Sequence, residues 1–70
     1  KEMSLKDRII EGLDKVFEAK IQSHIMNIEV LLGKPVGVAE HPDIMATIEG
    51  ELDIIASYED KRSCLKKYFL

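Results

Sequence analysis

Tryptophan is absent from this chain of 70 residues, cysteine occurs once, proline twice and glycine four times. Two Tyr and two Phe leave too few rings to stack on successive bases, and no basic stripe accompanies them, so a nucleic-acid-binding role is not expected. A lone thiol closes no internal disulfide and fits a reducing compartment. No run approaches the roughly 18 consecutive apolar residues of a membrane-crossing helix. No charged-then-apolar leader is visible either, and the expected location is the cytoplasm. Scarce proline and glycine, with 46% hydrophobic residues, exclude a disordered or collagen-like chain.

What is present is charge and aliphatic side chains. One residue in three is charged, and the formal net charge is −3. Domains below about 70–80 residues draw only about 3–5 kcal/mol from a single core and rely on disulfides, a metal or a partner. With disulfides excluded, a second copy is the simplest expected support.

The residues divide into two helical patterns. Ser4 and Asp7 have capping-box spacing. From there Ile10, Leu13, Phe17, Ile21, Ile28, Leu31 and Leu32 recur at helical steps, with His24 in the one gap. Ile9 and Val16 widen this stripe on one side, and Ile25 widens it on the other. Gly33 is expected to stop the helix in a left-handed conformation, with Pro35 close behind. The segment GKPVGVAEH, residues 33–41, reads as a loop. Pro42 and Asp43 suit a first helical turn, the one lacking an N–H, the other placing an acid at the positive end of the dipole. The second stripe is Ile44, Ile48, Glu51, Ile55, Tyr58, Arg62, Leu65 and Phe69, at alternating steps of four and three.

The expected fold is therefore all-α, one domain over residues 1–70: an antiparallel hairpin with helices at about 4–32 and about 42–68. One hairpin covers one side of each stripe. The broad stripe of the first helix would leave Ile9, Val16 or Ile25 bare, so two hairpins are expected to form a homodimeric four-helix bundle.

Counting outward from the loop places His24 opposite Gly50 and Glu51. The two polar interruptions then meet as a structural pair that fixes register, with Gly50 leaving room for the imidazole. The same count places Arg62 beside Glu11 and Asp14, where a guanidinium forks onto a carboxylate, and Gly12 would allow close helix approach. The expected core and interface set is Ile10, Leu13, Phe17, Ile21, His24, Ile28, Ile48, Glu51, Ile55, Tyr58, Arg62 and Leu65.

Searches for chemistry end in incomplete sets. Neither His24 nor His41 follows a Glu at the spacing of a di-iron bundle, and no CxxC or HExxH occurs. Helical nucleotide pyrophosphatases and dimeric dUTPases hold magnesium with paired acids. Glu11-x-x-Asp14, Glu40-x-x-Asp43 and the pair Glu49 and Asp53 have related spacing, without the full four-carboxylate pattern. A small metal-dependent hydrolase of that kind is the alternative reading. Such an enzyme would gain thermal stability from magnesium or manganese. Cys64 sits among Arg62, Lys66 and Lys67 with no His or Asn partner in view. His41-Pro42-Asp43 matches the tripeptide of J-domains, but the preceding GKPVGVAE is not a basic helix. No catalytic residue, cofactor or metal is therefore expected.

The stretch HIMNIEVLLGKPVGVAEHPDIMATIEGELDIIASYEDK resembles small proteins encoded by tailed marine phages, cyanophages among them, over residues 4–69. That group has no assigned activity, so the resemblance implies a source and not a chemistry. The expected role is a non-enzymatic helical interaction or scaffold protein, acting through self-association and through a further protein partner.

Overall fold

The computed structural model describes residues 2–33 and 41–70. Helix α1 spans Leu5–Leu32 and helix α2 spans His41–Phe69. The two pack against each other as an antiparallel hairpin.

Local chemistry sets the ends. Ser4 is extended (φ −66°, ψ 164°), and its Oγ accepts from the Asp7 backbone N–H at 3.1 Å. That hydroxyl satisfies one of the donors a helix start leaves without a partner. At the other end the Gly33 N–H donates to the Glu29 carbonyl at 3.1 Å. Gly33 stays right-handed (φ −81°, ψ −8°), so the left-handed stop expected there does not form. The last turn simply closes on its own carbonyls, which any residue permits. The remainder of the expected loop, with Pro35 and Glu40, lies outside the described residues, as do the side chains of His41 and Pro42. In α2, Asp43 lies in the first turn and Lys66 and Lys67 in the last, each sign at the end the dipole favours.

The hydrophobic centre is thin. Ile10, Ile21 and Ile55 are buried, and among the described residues no polar side chain is. Phe17, Ile28, Ile48, Tyr58 and Leu65 are half-buried around them. Phe17 and Tyr58 meet across the seam in a tilted pair, ring centroids 5.9 Å apart. Ile25, expected to be bare, is half-buried.

Leu13 departs from its expected place and is 40% exposed. The facing positions of α1 run Ile10, Asp14, Phe17, Ile21, His24, Ile28, at alternating steps of four and three. That phase turns Asp14 toward α2 and leaves Leu13 at the edge. Leu32 and Phe69 are exposed as well. Each stands at a helix end, where the partner helix no longer covers it.

The dimensions follow from two helices in one layer. The principal extents are 57 × 20 × 10 Å, and the radius of gyration is 16.6 Å. A compact domain of this length would have a radius near 11 Å, about a third less.

Candidate functional site

Two polar clasps join the helices. Toward the loop end, His24 Nδ1 donates to Glu51 Oε2. An ionised carboxylate only accepts, so the Nδ1 carries the proton. Asn27 Nδ2 donates to the other oxygen, Oε1, at 3.1 Å. The His24 and Glu51 side chains keep 22% and 18% of their surface. The pair thus sits at the wet edge of the seam, between the apolar layers of Ile21 and Ile28 on one helix and Ile48 and Ile55 on the other. Asn27 was not anticipated. Its only signal is its place one turn beyond His24 on the same helix.

Toward the open end, Arg62 forks onto Asp14. Nε donates to Oδ1 at 2.8 Å and a terminal nitrogen donates to Oδ2 at 3.2 Å. This hydrogen bonding holds the Asp14 carboxyl below the ordinary aspartate range, against a smaller opposing effect of desolvation, and Lys66 adds a further attraction. The same bond raises the guanidinium above its ordinary value. Glu11, placed beside Arg62 by the counting argument, instead accepts from Lys15 one turn ahead at 2.9 Å. That local bond raises the Lys15 ammonium.

The expected uses of the helical glycines do not occur. A Cβ built on Gly12 or on Gly50 meets nothing within 4 Å. Gly50 therefore makes no room for His24, and Gly12 brings no helix closer within the hairpin. Both point elsewhere.

They point to uncovered surface. On α1 a second set at alternating steps of four and three runs along the back of the helix, turned from α2. Its larger members are Leu5, Ile9, Val16, Met26 and Val30, each more than half exposed. Its small members are Gly12, Ala19 and Ser23, all exposed and none charged. On α2 a matching seam carries Thr47, Gly50, Ile54, Ser57, Cys64 and Tyr68, likewise exposed, with Lys61 as its one charge. The α2 set flanks its covered stripe, whereas the α1 set lies behind its own. One shallow groove is lined jointly by Asn27, Val30, Leu31, Thr47 and Glu51. The opposite side brings Asp7, Glu11 and Asp14 of α1 against Lys66 of α2 around another groove. Both grooves mix apolar and polar side chains, and Met3, Ile10, Leu65 and Leu70 complete the lining of the second.

The candidate metal ligands do not converge. Among the described residues no three His, Cys, Asp or Glu side chains gather as an ion would need. Of the paired acids, Glu11 is bonded to Lys15 and Asp14 to Arg62. Cys64 is exposed. No helix among the described residues is long and apolar enough to cross a membrane. The chain matches no family model, no curated protein and no solved structure.

Proposed function

We propose that this chain is a small helical interaction protein that works by self-association into a four-helix bundle and by presenting the bundle's outer surface to a further protein. An adaptor in a larger phage or host assembly, in the cytoplasm of the host cell, is the setting that suits such a module. It carries no chemistry of its own in this reading.

One observation carries the proposal: the hairpin exposes more surface than its mass warrants. The accessible surface is 5604 Å². A compact monomer of 8.0 kDa exposes about 4,450 Å² by the scaling that folded monomers follow, so the excess is about 1,150 Å². A standard protein–protein interface removes about 800 Å² from each partner. The excess is therefore enough to make one such interface. Engagement of Glu11 by Lys15 and of Asp14 by Arg62 adds support, because those acids serve structure.

Solution mass by light scattering across a dilution series tests the reading. A mass of twice 8.0 kDa or more is expected at high concentration. A mass of 8.0 kDa at every concentration would overturn it.

A further inference from the structure

We infer that the back of α1, the row from Leu5 to Val30 turned from α2, seats the same row of a second copy in antiparallel order. The inference rests on the self-association proposed above and assigns its surface, its orientation and the order of its helices.

Chemistry selects the row. It holds eight residues at steps of four and three, all exposed and none charged. Its five larger members keep between 52% and 71% of their surface. It runs about 38 Å at 1.5 Å per residue, about seven turns. Among the described residues no other side of the hairpin is clear of charge over that length. The equivalent row behind the covered stripe of α2 carries Asp53, Asp60 and Lys67. One flank of the seam carries Lys6, Lys20 and Lys61, and the other carries Glu11, Glu18 and Glu59. Each such charge loses hydration when a partner covers it. Area is sufficient as well, since the excess of about 1,150 Å² exceeds the roughly 800 Å² that a standard interface takes from each partner.

Charge selects the occupant and the orientation. Arg8, Lys15, Gln22 and Glu29 follow one another at steps of seven along one edge of the row. Arg8 and Glu29 each stand three residues inside an end of Leu5–Leu32, and Lys15 and Gln22 each stand ten. An antiparallel copy in full overlap therefore sets Arg8 beside the second copy's Glu29 and Lys15 beside its Gln22. A two-fold axis makes each of these contacts twice. Parallel copies would set Arg8 on Arg8, Lys15 on Lys15 and Glu29 on Glu29. On the other edge only Lys20, near the axis, meets its own kind in the antiparallel order, and its long stem carries the ammonium out to water. An edge whose opposite charges lie equally far from its midpoint is complementary to itself, which points to a second copy and not to an unrelated chain. The four helices then stand in the order α2, α1, α1, α2, with both hairpin seams outside the new contact.

The test uses the whole chain, with dimer dissociation constants from light scattering across a dilution series at low salt. Ser23 and Ser57 are exposed serines inside the two helices, the first in the row and the second on α2. Glutamate is the better helix former, so both substitutions keep the hairpin folded, which far-ultraviolet circular dichroism checks. Ser23→Glu places a carboxylate in the contact once per copy, and at about tenfold each the constant rises about a hundredfold. Ser57→Glu leaves it unchanged. For orientation, Arg8→Glu and Glu29→Arg each turn two attractive pairs into repulsive ones, and each raises the constant about tenfold. Both place a charge at the helix end whose dipole favours it, so neither weakens α1 itself. The double variant restores the wild-type constant. A Ser23→Glu dimer as tight as wild type overturns the face while self-association stands. Single reversals without effect, or a double variant no tighter than the singles, overturn the antiparallel order. A wild type of 8.0 kDa at every concentration overturns self-association itself, and the inference with it.

Discussion

Replacing His24 by leucine tests what the inter-helical clasp contributes. The substitution removes the Nδ1–H that Glu51 accepts and leaves the carboxylate with Asn27 alone. A hydrogen bond to a charged group contributes about 1.5–3 kcal/mol. About a fifth of each side chain still meets water, and water takes over part of the lost bond, so the lower end, about 1.5 kcal/mol, is the expected loss. Unfolding entropy near 2.1 cal/mol/K per residue gives about 150 cal/mol/K for a chain of this length, so the midpoint falls by about 10 °C. Thermal unfolding followed by far-ultraviolet circular dichroism at pH 7 reads this directly, at one fixed protein concentration because association shifts the midpoint. The double variant His24→Leu with Glu51→Leu closes the cycle. Two leucines between Ile21 and Ile28 on one side and Ile48 and Ile55 on the other recover the loss or exceed it, as apolar replacements of paired polar groups often do. A His24→Leu midpoint within about 2 °C of wild type, about 0.3 kcal/mol on the same scale, would refute the reasoning. So would a double variant as damaged as the sum of its parts, because the two residues would then act independently.

Truncating the thin core is the next expectation. Ile21→Ala and Ile55→Ala each lose about 2 kcal/mol by urea unfolding, the low end of the range for buried aliphatic truncation, because a single layer of side chains can collapse toward solvent. Met45→Ala, on an exposed side chain, stays within about 0.5 kcal/mol of wild type. The second expectation concerns acid. The Arg62 hydrogen bond lowers the Asp14 carboxyl in the folded chain, so its contribution is fully present above the ordinary aspartate value and disappears as pH falls through the lower folded one. Wild type therefore melts above Asp14→Asn at neutral pH, and the gap closes below about pH 4. A gap that stays constant from pH 7 to pH 2 would remove the ion pair as its cause.

Much of this architecture can be read from spacing alone. Apolar residues at steps of three and four demand helices, and Ser4 with Asp7 marks where the first begins. Counting from the loop brings His24 to Glu51 and Arg62 to Asp14 because an antiparallel pair rises equally on both sides of its turn. The misplacement of Leu13 has one cause. A helical wheel reports which residues are apolar, and α1 is apolar over more than half its circumference. The wheel alone does not say which edge of that band turns inward. Leu13 seemed the better inward residue because burying leucine is favourable and burying aspartate is not. The fork from Arg62 reverses that order by giving Asp14 a partner, and it rotates α1 so that Leu13 comes to the edge.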